Sequence, residues 1–230
     1  MFIKYNYNDF MNDCIKKARI LLFAAITVFV FLSCSRAEPK ILYGFMELTY
    51  YPGTEKPLER YSFFILPEDD DGVENLSELY LYNDREGLRW LISSDDWVNQ
   101  EIDGKTWIGS RSIAMFDDGP LPRGQFRAVL VNKGGESTER KFTYDGPEMP
   151  PYPFPILAAG DGTYHIDSRY PENNLICYDQ QGKISQVINI KEKEGNIRDL
   201  RLSGAVRTFA LWAVEPMYSI SALTDAVSVR

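Results

Sequence analysis

The chain predicts an all-β fold, and three observations support that prediction. Its apolar residues fall in short runs rich in β-branched and aromatic side chains, and most of these runs end at Gly or Pro. The runs recur about every 8–15 residues, a spacing typical of a β-sandwich. No segment sustains a helical period over three turns.

Seven strands are predicted in the first part of the chain. The first, 41–51, stops at Pro52 and Gly53, and the second, 60–66, stops at Pro67 before an acidic run. The other apolar and aromatic runs predict strands at 79–82, 88–92, 106–116, 126–131 and 140–144.

A proline-rich segment, 147–155, predicts a linker between two modules. Five of its residues are proline, which favours extended polyproline geometry and a semi-rigid connection. We therefore expect one β-sandwich at 41–146 and a second, smaller sandwich-like module at 156–230.

The second module repeats the β pattern. Strands are predicted at 163–166, 198–202, 208–214 and 218–229, together with a hairpin over 175–190 that turns at Gln181 and Gly182. A module of about 75 residues is small for an independent sandwich. We therefore expect it to pack against the first.

One stretch resembles a known family. Gly124, Phe126, Ala128, Asn132 and Gly135 have the spacing of the F strand and F–G turn of immunoglobulin-like and fibronectin type III domains. The usual Tyr and disulfide Cys are replaced here by Phe126 and Ala128. The resemblance implies immunoglobulin-like sandwiches, and strand alternation then places Phe126, Ala128 and Leu130 on the core face.

The N-terminal region has the three parts of an export signal. Basic residues at 16–19 precede an apolar run at 20–32, and Ser33 and Cys34 close it. The segment from Phe31 to Cys34 resembles a bacterial lipobox, in the looser form of spirochaete lipoproteins, because Phe31 replaces the usual aliphatic residue. The resemblance implies a signal peptide at 1–33, acyl chains such as palmitate on Cys34, and a spacer over 34–40. Met1 and Met11 are both candidate starts.

The net negative charge of the chain argues against nucleic acid as a partner and against electrostatic binding to a membrane. The chain has a net charge of −8, and cleavage before Cys34 removes four basic and two acidic residues, which leaves −10. An acidic chain does not neutralise phosphates, so no nucleic acid partner is expected. For the same reason the protein would be attached to the membrane through its acyl chains alone. After cleavage and lipidation only Cys177 remains, in an apolar run that predicts a buried structural thiol.

Catalytic chemistry has little support in the sequence. After cleavage His165 is the single histidine, and it lies in a predicted strand without a nucleophile-elbow pattern. One histidine and one thiol do not form a zinc site. We expect no enzyme activity and no cofactor.

The acidic loop after the second strand suggests a calcium site as an alternative. On the EF-hand frame, Asp69, Asp71 and Glu78 fall at positions three, five and twelve. Position one is Pro67, which offers no side-chain oxygen. A solvated turn and a looser calcium site both stay open for this loop.

Exposed aromatic residues suggest a carbohydrate-binding alternative. Trp97 and Trp107 are flanked by polar residues and are the candidates for stacking on sugars, with the Tyr80 and Tyr82 pair as a further platform. Trp90 and Trp212 are expected in the core.

These observations together predict a non-catalytic lipoprotein tethered to the bacterial cell envelope, on the periplasmic or surface face. Its expected role is protein–protein interaction or envelope scaffolding. A carbohydrate-binding module and a calcium-dependent accessory subunit are the alternatives. The partner, the membrane and the oligomeric state stay open.

Overall fold

A computed structural model describes residues 37–229, and these residues are almost entirely strands and connecting turns. Residues 38–230 form one compact unit. The predicted signal segment 1–33 and Cys34 lie outside the described residues. In the described part of the chain, no helix is long and apolar enough to cross a membrane.

The described residues form sixteen strands and three short 3-10 helices. The strands are β1 (Lys40–Tyr51), β2 (Leu58–Glu68), β3 (Leu76–Asn83), β4 (Leu88–Ser93), β5 (Val98–Ile102), β6 (Lys105–Ile113), β7 (Gly124–Asn132), β8 (Ser137–Tyr144), β9 (Ile156–Gly160), β10 (Thr163–Asp167), β11 (Glu172–Tyr178), β12 (Ile184–Asn189), β13 (Glu194–Asn196), β14 (Thr208–Glu215), β15 (Ile220–Leu223) and β16 (Val227–Ser228). The 3-10 helices are Val73–Asn75, Ile197–Leu200 and Pro216–Tyr218.

The first eight strands form the predicted β-sandwich. One layer has the strand order β1-β2-β6-β5 and the other β4-β3-β7-β8, which correspond to the ABED and C′CFG orders of an immunoglobulin-like sandwich. The layers meet through aromatic side chains. Tyr61 of β2 packs edge-on against Phe126 and Tyr144, with ring centroids 5.7 and 5.0 Å away, and Phe63 packs against Phe142 at 5.4 Å.

The hairpin that carries the family resemblance has the predicted register. β7 and β8 are antiparallel, with Phe126 opposite Phe142. Phe126, Ala128 and Leu130 are buried, and the residues between them are half-buried on the other face. The prediction from strand alternation is confirmed.

The second part of the chain extends the first layer. β15 pairs in parallel with β1, with Leu48 opposite Ile220, and the order continues through β14 and β11 to β12, with β16 on β14. Strands from both predicted modules therefore form one nine-stranded sheet, and the proline-rich segment separates two parts of a shared sheet. β9, β10 and β13 form a third sheet, in which β9 contacts β14 and β16. One cluster of buried apolar residues extends through both parts.

Several predicted elements differ from the structure. The strand expected at 198–202 is a 3-10 helix, Ile197–Leu200, which ends at Arg201 with φ +50°. The strand expected at 218–229 is two short strands, β15 and β16. Strands β5, β9 and β13 were not predicted, because each is a short strand at the edge of its sheet and needs few apolar residues.

Candidate interaction surface

The outer face of the four-stranded sheet is built by alternation along β3. Leu79 and Leu81 are fully buried between the layers. Tyr80 and Tyr82 point the opposite way and are half-buried on the outer surface. The same strand therefore supplies part of the core and two surface phenols.

Strand register brings basic and apolar residues beside these tyrosines. Leu91 of β4 and Val129 of β7 lie opposite Tyr80 on its two sides. Arg89 and Arg127 lie opposite Tyr82 in the same way. We call this set the tyrosine–arginine face: Tyr80, Tyr82, Arg89, Leu91, Arg127 and Val129.

Ring contacts hold the face together. The rings of Tyr80 and Tyr82 stack with centroids 5.9 Å apart and an interplanar angle of 29°. The guanidinium carbon of Arg89 lies 5.7 Å from the Tyr80 centroid, and that of Arg127 lies 4.4 Å from the Tyr82 centroid. Both are within the range of cation–π attraction.

Arg127 is held by two carboxylates. Its Nε and one terminal nitrogen donate to Asp84 at 2.9 and 2.8 Å, and the other terminal nitrogen lies 3.4 Å from Glu139. The hydrogen bond from Arg127 lowers the pKa of the Asp84 carboxyl. Arg89 is in no ion pair among residues 37–229, so its charge is available to a partner.

The face has an apolar centre between ends of opposite charge. Leu91 lies at the centre and is 52% exposed to solvent. At the end opposite the arginines, the Tyr80 hydroxyl donates to Glu78 at 2.9 Å, and this hydrogen bond raises the pKa of Tyr80. Tyr and Arg are the residues enriched in protein interfaces and among their energetic hot spots.

A cleft of about 530 Å³ lies at the end of the same sheet. The β3–β4 turn supplies Arg85 and Glu86 to its wall. Arg123 and Glu148 also line the cleft, together with apolar residues: Leu88, Met115, Pro120, Leu121, Pro122 and Met149. Met149 is 76% exposed. Flexible methionine side chains suit irregular apolar partners, so the cleft adds a surface of mixed polar and apolar character beyond the sheet.

A buried ion pair supports the floor of this cleft. Glu59 is 6% exposed, and its two oxygens accept hydrogen bonds from Arg123 at 2.9 and 3.0 Å. Glu59 also accepts from the Leu121 N–H at 2.8 Å, while Arg123 donates to the Pro147 carbonyl at 3.1 Å. The pair thus fixes both the cleft floor and the start of the proline-rich segment. Sequence reasoning missed it, because Glu59 stands beside Arg60 at the polar start of β2 and nothing local marks it as buried.

The predicted calcium ligands do not converge. Asp69 accepts hydrogen bonds from the Asp71 N–H and the Asn75 side chain. Glu78 lies on β3 and is bonded to Tyr80. Across residues 37–229, no group of three or more His, Cys, Asp or Glu side chains is placed to hold a metal ion.

The tryptophans predicted to stack on sugars are half-buried. Trp97 packs against the apolar core. Trp107 packs against Phe45 with ring centroids 5.4 Å apart, and its Nε1 is buried. Trp90, which was expected in the core, is half-buried against it and donates to the Ala114 carbonyl at 2.8 Å. Trp212 is also half-buried and lines a small cavity of about 200 Å³.

The histidine and the thiol lie in different environments. His165 has an exposed side chain, with Nδ1 3.9 Å from a Glu194 oxygen. Cys177 is fully buried, as predicted, and burial raises the pKa of its thiol. A thiol in this state is a poor nucleophile.

Comparisons with known proteins add little to this description. No protein-family model matches the chain, and no curated protein matches it. Among solved structures, the chain is similar to "Dpr11 IG1 bound to DIP-gamma IG+IG2", with a TM-score of 0.25 and 10% identity, over 82% of this chain and 99% of that one. A TM-score this low supports no structural argument. The immunoglobulin-like sandwich is therefore established by strand order and sheet packing.

Proposed function

We propose that this protein is a non-catalytic, lipid-anchored protein of the bacterial cell envelope that binds a protein partner through the tyrosine–arginine face. The observation that carries the proposal is the stacked Tyr80–Tyr82 pair, flanked by Arg89 and Arg127 and centred on exposed Leu91. Exposed Leu91 beside tyrosine and arginine side chains is the composition expected at the centre of a protein interface.

Charge indicates the kind of partner. The chain carries a net charge of −8, yet the arginine end of the face presents Arg89 and the neighbouring Lys141, while Arg127 is paired with Asp84 and Glu139. A partner with acidic side chains around an apolar anchor complements this end, and the acidic remainder of the protein repels it elsewhere.

The binding face is tested by photo-crosslinking in cells. A photoreactive residue at Leu91 should give one discrete crosslinked species, whereas the same residue at Val187, which is equally exposed on β12, should give none. Arg89→Glu should abolish the Leu91 product by reversing the charge. Lys191→Glu, an exposed reversal elsewhere, should leave it unchanged. Equal crosslinking at both positions would remove the proposal.

The anchor is supported by the basic segment, apolar run and Ser33-Cys34 sequence at 16–34. Cells fed a fatty-acid analogue should label the wild-type protein and leave Cys34→Ala unlabelled. Equal labelling of both proteins would exclude acylation at Cys34.

A further inference from the structure

A second cavity lies where the proline-rich segment passes the end of β1. Its volume is about 420 Å³, within the range of small-molecule pockets. Four aromatic side chains and four prolines line it. We call the aromatic set the tyrosine cage: Tyr50, Tyr152, Phe154 and Tyr170. Tyr152 and Tyr170 meet edge to face with centroids 5.0 Å apart.

A buried carboxylate stands behind one wall of the cage. Glu215 is 8% exposed, and its Oε2 accepts a hydrogen bond from the Tyr152 hydroxyl at 2.8 Å. Its Oε1 accepts from the Met217 N–H at 3.0 Å. No Lys, Arg or His side chain of residues 37–229 forms an ion pair with Glu215. Buried carboxylates are ordinarily paired with a cation, as Glu59 is with Arg123.

The same hydrogen bond strengthens the aromatic wall. A phenol that donates to a carboxylate gains electron density in its ring, and the bond to Glu215 raises the pKa of Tyr152. Arg123, near Tyr50, does not oppose a cation, because Glu59 neutralises it through two hydrogen bonds. The cavity thus combines four aromatic side chains, apolar proline walls and, behind Tyr152, a carboxylate that is in no ion pair among residues 37–229.

We propose that the tyrosine cage binds the trimethylammonium group of a choline-type cation. Quaternary ammonium groups cannot donate hydrogen bonds and are recognised by aromatic faces with a carboxylate nearby. The prolines offer apolar contact to the methyl groups. This site is separate from the tyrosine–arginine face and does not depend on the function proposed for that face.

The test compares choline with 3,3-dimethylbutanol, a neutral molecule of the same shape. Both are titrated into the full chain in detergent, and binding is followed by calorimetry. Choline should bind about tenfold more tightly than the neutral analogue, in keeping with the strength of a desolvated cation–π contact. Equal affinities, or no binding of choline, would overturn the proposal.

Two variants separate charge from shape. Glu215→Gln keeps an acceptor for the Met217 N–H and removes the charge, so it should reduce the preference for choline and leave dimethylbutanol unaffected. Phe154→Leu removes an aromatic side chain and keeps a similar apolar volume, so it should also reduce the preference for choline over dimethylbutanol. Tyr80→Ala, on the opposite sheet, should bind choline as the wild type does. Unchanged choline preference in both cage variants would contradict the assignment.

A vesicle assay identifies the source of the group. The chain from residue 34 with Cys34→Ala, which lacks both the apolar run 20–32 and the proposed acyl chains, is mixed with phosphatidylcholine or phosphatidylglycerol vesicles. Retention on phosphatidylcholine alone, competed by free choline, identifies a lipid headgroup. Choline binding without vesicle retention identifies a free cation. Retention on phosphatidylglycerol alone would contradict a cage for cations.

Discussion

At the scale of single residues, Phe126 shows what the sandwich core requires. Its side chain is 1% exposed and lies between Tyr61 and Trp90, with ring centroids 5.7 and 6.5 Å away. Aromatic rings in such places supply much of the apolar burial that stabilises a small domain.

Phe126→Ala should lower the free energy of unfolding by about 3–5 kcal/mol, because the surrounding side chains cannot close the cavity. Urea denaturation followed by tryptophan fluorescence measures the change. Lys141→Ala, on the outer face of the neighbouring strand, should change it by less than about 0.5 kcal/mol. Similar losses at the two positions would show that Phe126 is not in the core.

Cys177 should resist thiol reagents in the folded protein. Its side chain is fully buried, and burial raises the thiol pKa, so the reactive thiolate is scarce at neutral pH. The Cys14→Ala/Cys34→Ala variant, whose single thiol is Cys177, should show no reaction with an aromatic disulfide reagent in buffer and full reaction in urea. Rapid reaction in buffer would contradict the buried position.

Asp84 should titrate at lower pH than an ordinary aspartate. The hydrogen bond from Arg127 lowers its pKa in the folded state, so its contribution to stability is complete above the unfolded pKa of about 3.9 and is lost as the pH falls through the folded value. Carbon NMR of the carboxyl group measures the titration. Arg127→Gln should raise the Asp84 pKa, and Lys183→Gln, in the β11–β12 turn, should not change it.

At the scale of elements, the β7–β8 turn shows how one side chain shapes a hairpin. Asn132 is 2% exposed, and its Oδ1 accepts from the N–H groups of Gly134 and Glu136 at 3.0 Å each. Gly135 has φ +90°, a conformation that L-residues with side chains rarely adopt. The hairpin therefore depends on both residues.

Asn132→Ala should cost about 1 kcal/mol or more, because it leaves two half-buried backbone donors without their acceptor. Thermal unfolding by circular dichroism measures the loss. Lys133→Ala, which alters the next and exposed side chain, should change stability by less than about 0.5 kcal/mol. An equally mild effect at Asn132 would show that its side chain does not hold the turn.

At the scale of the whole molecule, the parallel pairing of β1 with β15 joins the two parts of the chain. Because of this pairing, Tyr50 of β1 contacts both parts of the chain. It lies opposite Glu59 of β2 on one side and Ala222 of β15 on the other, and it also lines the tyrosine cage. Loss of the second part would expose a long strand edge, which favours aggregation.

Residues 38–230 should unfold in one cooperative transition. Since one sheet and one apolar cluster extend through both parts, unfolding of either part would expose buried apolar residues of the other to solvent. Trp212→Phe leaves the remaining tryptophans of the described residues as reporters of the first part, and their fluorescence should coincide with the circular dichroism curve. The fragment 38–146 should unfold at lower urea or associate. Two separated transitions would show independent modules.

The sequence alone determined the strand content, the β7–β8 hairpin with its register and the buried state of Cys177. These features depend on local alternation, turn residues and breakers, which act over a few neighbouring positions. Only the tertiary structure decided that β15 joins β1, that Glu59 meets Arg123 and that the proline-rich segment closes a cage with Tyr50. Those contacts join residues far apart in the chain, and no local pattern specifies which distant strand edge or charge will be the partner. The two tryptophans predicted to stack on sugars are half-buried for the same reason, because burial depends on neighbours that tertiary packing supplies.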